Sequence, residues 1–457
     1  MNRPVDKLTL NLTFLKRFEH NDRELFQALA EVRRQLDESP YFGLETSDGA
    51  PPLSYPFASP LFVETAAQED MSRVVRTIRA ALQDVGKRLR RGEDPLPGHA
   101  VYTPTITSER FAFDHGYQEL APIVRLDLAP TEQGPMTLEI NTGCPGGEAD
   151  GGILAQAFFS EPRMAAGIKL TGDTAFMDPR QESLERILAV YEEFRAGAGS
   201  SMPARPVIGI VTSEAQREVL RPEAMGTSDY YRAQGYEAHA GDLKDLRARG
   251  DRLRLGAGEI HLLYRKFSTI SFFKRLRDPE GYPYLEDVYR AYRDHRFCMV
   301  NPLSSTLLQD KGLLYVLRRD YPETRSVIPE TYLLDEDLPR RDGDLWERVR
   351  SGDEFILKRR ISYAGKWVVM DPDEARLRIP EMLSREPGKW IVQKRIEPAR
   401  DFFAVSRDGT IKTGMYAYNV AGFGSSFFVR VSLGGPFDPI NAGTGGAETL
   451  LLAVHGR

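Results

Sequence analysis

The chain has 457 residues, 41% of them apolar and 28% charged, with Lys+Arg at 61 against Asp+Glu at 66 and a formal net charge of −5. That length suffices for two or three domains with sizeable cores, and the charge balance offers no basic surface for nucleic acid. No apolar run reaches the roughly 20 residues of a membrane-spanning helix, so a helical membrane protein is excluded.

The first segment, MNRPVDKLTLNLTFLKRFEHND, carries scattered charges and no signal-peptide pattern. With only Cys144 and Cys298 as thiols, the expectation is a cytoplasmic protein in a reducing environment, without disulfides. Residues 6–38 show apolar stripes at helical spacing, clearest at Leu25, Leu29, Val32 and Leu36. Residues 39–60 are a proline- and glycine-rich connection. A helix is predicted over 69–90, with Val74, Val75, Ile78, Leu82 and Val85 on one side.

Two neighbouring strands are predicted at 121–128 (APIVRLDL) and 136–140, with a polar turn between them. Arg125 and Asp127 share a face of the first. They read either as a buried ion pair or as a pocket in which Arg125 receives a substrate carboxylate. The second strand runs through Thr137-Leu138-Glu139-Ile140-Asn141-Thr142 into Gly-Cys-Pro-Gly-Gly. Residues i and i+2 of a strand point to the same face, so Glu139 and Asn141 are presented together. A carboxylate and an amide carbonyl are hard oxygen ligands suited to Mg²⁺ shared with substrate phosphates; the alternative is an ordinary strand followed by a turn. Cys144 has no histidine near it in sequence and reads as a small residue in a tight turn.

A helix at 180–195 and the linker AGAGSSMPARP come next. Strands at 207–211, 235–237, 260–264 and 297–300, with a helix at 223–234, then predict a compact α/β unit with a mostly parallel sheet. No G-x-G-x-x-G follows its first strand, so a dinucleotide site is not expected. Arg265 ends one of these strands, as a substrate-carboxylate anchor or an ion-pair partner. A proline turn and a helix carrying Lys311 follow, then a short strand within 326–334 and a charged stretch over 335–352. Strands at 355–358, 367–370, 390–393, 402–405, 411–418 and 426–431 give an antiparallel pattern, with a turn at 359–366 and a glycine-rich stretch at 441–446. Lys358 on its own reads as a snorkelling surface residue or a phosphate contact.

Four segments together resemble the ATP-grasp ligases, in the circularly permuted order of the eukaryotic-type glutathione synthetases: VRLDL…LEINTGCPGG (124–147), VNPLSSTLLQDK (300–311), FILKRRISYAGK (355–366) and WIVQKRIEP (390–398). A fifth, FFVRVSLGG…NAGTGGAE, is looser. The resemblance implies an α/β, circularly permuted ATP-grasp fold with a smaller α/β substrate domain and an antiparallel lid sheet. It divides the chain into 1–205 (N-terminal helices and the metal-site strand), 206–300 (substrate domain) and 301–457 (nucleotide-binding half with lid).

The implied activity is an ATP- and Mg²⁺-dependent joining of a carboxylate to an amine of an amino acid or small peptide through an acyl phosphate. The implied partners are those small molecules, with no nucleic acid and no membrane. Glu139 and Asn141 match the family's Mg²⁺ ligands, and Lys311 and Lys358 its phosphate-contacting lysines. Ser362 and Gly365 fall in the loop that closes over the phosphates, and Gln393, Lys394 and Ile396 in the hinge strand that meets adenine. Arg125 and Asp127 match the carboxylate pocket, Arg430 a late arginine near the reacting carboxylate, and Gly445-Gly446 a late substrate loop. Arg125, Arg430 and Lys358 are thus the expected catalytic groups.

The chain departs from this pattern at Ser362, where the family carries a metal-binding glutamate. Glu148, Asp150, Glu397, Asp401 or water are the candidate replacements. An ATP-dependent small-molecule kinase and a catalytically reduced nucleotide-binding protein are the alternatives. Residues 1–100 match no motif and are left to shape an acceptor pocket or the interface of a homodimer.

Overall fold

The computed structural model describes residues 5–16, 18, 22–43, 54–93, 95–96, 114–198, 202–213, 217–250, 252–362, 367–435, 438–440 and 445–455. The stripes at the start of the chain form two helices, Val5–Lys16 and Asp22–Glu38. Leu25, Leu29, Val32 and Leu36 are buried in one core with Leu154 and Phe158 of the helix Glu148–Ser160 and with Leu450 and Leu452. The next helix, Thr65–Arg90, starts four residues earlier than its stripe predicts. Its apolar side (Val74, Val75, Ile78, Leu82, Val85) packs with Leu126, Leu128, Val420 and Val429 of the large sheet.

That sheet has nine strands and carries the architecture. Its main path runs Arg400–Arg407, Phe57–Ala58, Ala447–His455, Phe427–Val431, Thr410–Gly422, Arg125–Ala129, Met136–Asn141. Arg400–Arg407 also pairs with Thr410–Gly422, so part of the path closes on itself. The predicted pair of strands is present and antiparallel, with Arg125 opposite Asn141 and Asp127 opposite Glu139. Further along, Ala421 lies opposite Asp127, Asn419 opposite Arg430, and Arg430 opposite Glu448. Side chains alternate between faces along a strand, and this register sets a row of charged residues across neighbouring strands of one sheet.

The parallel sheet is present, with Cys298–Val300, Leu262–Arg265, Ile208–Thr212 and Ala238–Asp242 paired in that order, all parallel; the strand expected at 235–237 instead runs over Ala238–Asp242. The helix Arg217–Ala233 connects two of them. A third sheet joins Thr331–Leu334, Trp390–Lys394, Phe355–Arg359 and Val368–Val369, all antiparallel. Its apolar face packs against the helices Gly343–Ser351 and Pro372–Arg385. Lys311 is not on a helix. It sits in the turn before Leu313–Asp320, where its N–H donates to the carbonyl of Arg360 at 3.0 Å. Among the described residues no helix is long and apolar enough to cross a membrane.

Candidate active site

A cavity of about 890 Å³ opens between the third sheet and the large one. At one end its wall is Ile356, Val368, Met370, Lys394, Arg395 and Ile396; in the middle stand Glu139, Asn141 and Lys358; beyond them come Arg125, Asp127 and Arg430.

Lys358 does not snorkel to solvent. It is 6% exposed, and its Nζ donates to Gln393 Oε1 at 2.7 Å and to the carbonyl of Leu138 at 3.1 Å. Burial pulls its pKa down to about 8, with Lys311 adding to the effect and Glu139 and Asp127 opposing it. Gln393 is fully buried and gives its Nε2 to Thr331 Oγ1 at 3.3 Å, so it orients the lysine instead of offering free polar atoms.

Lys311 Nζ lies 3.0 Å from Glu139 Oε1 and donates to Ser362 at its carbonyl (3.0 Å) and its Oγ (3.1 Å). The serine that stands in for the family's glutamate therefore faces Lys311. Arg360 ties the same turn with two bonds to Asp310, at 3.0 and 3.2 Å, both partners buried. Sequence reasoning missed that clamp. Gly365 lies outside the described residues.

Arg125 and Asp127 form an ion pair, and both line the cavity. Arg125 meets Asp127 at 2.9 and 3.2 Å and donates to the carbonyl of Gly146 at 2.9 Å. Arg430 Nη1 reaches the same carboxylate at 3.4 Å. Burial alone would raise the Asp127 carboxyl, but the two arginines outweigh it and hold it lowered. One carboxylate thus fixes two guanidinium groups on the wall.

Arg265 is placed otherwise. It is fully buried and donates to the carbonyls of Asn301 (2.5 Å), Phe267 (2.7 Å) and Pro302 (2.9 Å) and to Ser305 Oγ (2.7 Å). It braces a turn and corrects the expectation of a substrate anchor. Gly445, at φ +84°, turns the chain into the strand Ala447–His455, which carries Glu448 to the wall.

No protein-family model and no curated protein matches the chain. Among solved structures it is similar to a glutathione synthetase-like effector from Globodera pallida in its apo form. The TM-score is 0.62 at 10% sequence identity, covering 94% of this chain and 97% of that one. At that identity the likeness shows a shared fold. Two weaker likenesses are to a protein provisionally described as a gamma-glutamylcysteine synthetase from Methylobacillus flagellatus (TM-score 0.41, 12% identity, 86% and 89% coverage) and to an ATP-grasp RimK domain protein from Sphaerobacter thermophilus (0.25, 17%, 48% and 88%).

Whether the chain fits the Mg²⁺ that the sequence resemblance implies can be tested on its own residues. Among the described residues no group of three His, Cys, Asp or Glu side chains could hold a metal. Asn141 Nδ2 is buried without a partner. Amide oxygen and nitrogen are interchangeable assignments, so turning this amide brings its oxygen to the unpartnered position, on the same strand face as Glu139. One carboxylate and one amide oxygen fit a Mg²⁺ that keeps waters and takes phosphate oxygens, not one caged by protein alone. Of the candidate replacements for the missing glutamate, Asp150 and Glu397 are on the wall. Glu148 is held by Lys266 and Tyr264, and Asp401 accepts the N–H of Phe402.

Cys144 is also on the wall. No step of the ligase reaction that the sequence resemblance implies needs a thiol, so Cys144→Ala is expected to keep at least half of the wild-type rate. An inactive but folded variant in the same assay would overturn this assignment.

Proposed function

We propose that the chain is an ATP- and Mg²⁺-dependent ligase, built on a circularly permuted ATP-grasp fold, that joins a small-molecule carboxylate to an amine and releases ADP and phosphate. The observation that carries this reading is the sequence of groups along one cavity. A mostly apolar slot at Ile356, Val368, Met370 and Ile396 suits adenine. Lys358 and Glu139 line the wall next to it, Lys311 is paired with Glu139, and the two Asp127-held arginines lie beyond.

A substrate carboxylate held by Arg125 and Arg430 is oriented for attack on the γ-phosphorus of ATP, giving an acyl phosphate and ADP. Lys311 and Lys358 offset the charge that gathers on the phosphate oxygens. Mg²⁺, when held by Glu139 and Asn141, adds positive charge to the same oxygens. The amine then attacks the acyl carbon. Arg430 faces the oxygen that becomes negative, phosphate leaves, and the third sheet keeps water off the intermediate. No protein nucleophile takes part. The test is whether ADP and phosphate appear together only when both a carboxylate and an amine are supplied.

The reading also sets a pH dependence. Lys358 is charged below its lowered pKa of about 8 and neutral above it. Its attraction for phosphate is therefore full at neutral pH and lost as pH rises. Raising the pH from about 7 to about 9 should weaken ATP binding roughly tenfold. Lys358→Ala should bind more weakly throughout and lose that slope. Titration calorimetry at several pH values checks it; a wild-type affinity flat across the range contradicts it.

A further inference from the structure

Beyond the arginines the cavity wall changes sign. Asp150, Glu223 and Glu448 line that end, at 8%, 3% and 2% exposure, together with the ring of Tyr55. They come from three distant parts of the chain: the first turn of the helix Glu148–Ser160, the helix Arg217–Ala233, and the strand Ala447–His455.

The nearby cations do not saturate these carboxylates. Lys266 approaches Glu223 from behind, at 3.0 Å, and divides itself between Glu223, Glu148 and the carbonyl of Pro145. Arg430 directs Nη1 to Asp127, and its Nε is 3.8 Å from Glu448 Oε1, beyond hydrogen-bond range. Glu448 Oε2 is buried on this wall with no N–H or hydroxyl donor, and the Glu448 carboxyl lies against that of Asp150. A buried carboxylate oxygen without a donor is costly, and the open side of this one is the cavity.

We propose that this acidic end is a subsite for an ammonium group, and that the amine acceptor belongs to the class of alkyl diamines and polyamines and not to the α-amino acids. Calling the bound amine an acceptor rests on the ligase reading; the binding itself does not. An α-amino acid would carry its own carboxylate within a few ångströms of its ammonium, into a wall of three buried carboxyl groups whose negative charge opposes it with little screening. A diamine brings only positive charge. Its second ammonium can occupy the acidic end while the first, once neutral, reaches the carbon held near Arg125 and Arg430. The ring of Tyr55 offers a further favourable face for a cation. Burial, then the neighbouring Glu448 and Glu223, push the Asp150 carboxyl well up, and burial also raises Glu448 against the pull of Arg430. An arriving cation takes the place of the proton these groups would otherwise retain.

The test is calorimetric titration of the full chain with 1,4-diaminobutane and with glycine, without nucleotide, alongside an ATP–Mg²⁺ titration of the same preparations. The diamine is expected to bind at least tenfold more tightly than glycine, and to lose at least tenfold in Glu448→Gln while ATP binding persists. The wild-type comparison needs no variant and decides the matter if a variant does not fold. Diamine binding that is absent, no tighter than glycine, or unchanged in folded Glu448→Gln would overturn the subsite. Diamine binding that depends on Glu448, in a chain that binds no ATP, would support the subsite and overturn the ligase reading instead.

Discussion

Lys358→Ala should lower the rate of ADP formation at least tenfold at saturating ATP and substrates, equivalent to about 1.4 kcal/mol of barrier. The side chain is a buried cation of the third sheet that reaches the cavity, and it is held in place by Gln393 and the carbonyl of Leu138. Charge that grows on phosphate oxygens in a site shielded from water is stabilised most by donors already in position. Removing this one also leaves the buried Gln393 Oε1 without its donor. Glu139→Gln should act in the same direction. It keeps the shape but gives up the charge paired with Lys311 at 3.0 Å. Near-wild-type initial rates in either variant would refute the assignment.

Lys266→Met should cost about 3–5 kcal/mol of folding stability, because it leaves buried carboxylates without their cation. Lys266 and Glu148 are both fully buried and 2.8 Å apart, with Glu223 at 3.0 Å. Burial works against the lysine's charge, yet the two carboxylates outweigh it and hold its pKa raised. Without it, Glu148, whose carboxyl burial already raises, would be driven further toward its neutral form, so its folded-state pKa would lie above the unfolded one. That penalty grows as pH rises above the unfolded value. The loss measured by urea denaturation should therefore be larger at pH 8 than at pH 5. A loss below about 1 kcal/mol at pH 8 would contradict this account of the cluster.

The parts of the site that were legible in the sequence are those that local periodicity dictates. The i, i+2 rule put Arg125 with Asp127, and Glu139 with Asn141, and the antiparallel register then set the two pairs opposite each other. The same rule explains a miss. Arg265 and Lys266 are adjacent, and neighbours along an extended chain point to opposite sides. Arg265 turns into its own sheet's end, whereas Lys266 reaches the acidic cluster.

Lys311 was placed on a helix because LLQDKGLLYVL is apolar on either side. Asp310 instead accepts the N–H of Gly312 and the guanidinium of Arg360, which makes a turn there. The helix Glu148–Ser160 went unseen because almost every one of its residues is buried, so it carries no polar face to mark a period. The next helix, Pro162–Thr171, did carry a signal: a proline in its first turn after Glu161, whose carboxylate accepts the N–H of Met164. The acidic end of the cavity could not be read at all. Its members lie about 300 residues apart in sequence, and only the packing of helices on the large sheet brings them together.

The most direct measurement is release of ADP and phosphate from ATP and Mg²⁺ against a matrix of small carboxylates and amines, with mass spectrometry of the products. The account expects equimolar ADP and phosphate, dependent on both co-substrates, and a new mass equal to their sum less one water. ADP without free phosphate, together with a substrate heavier by one phosphoryl group, would contradict it and mark the chain as a kinase.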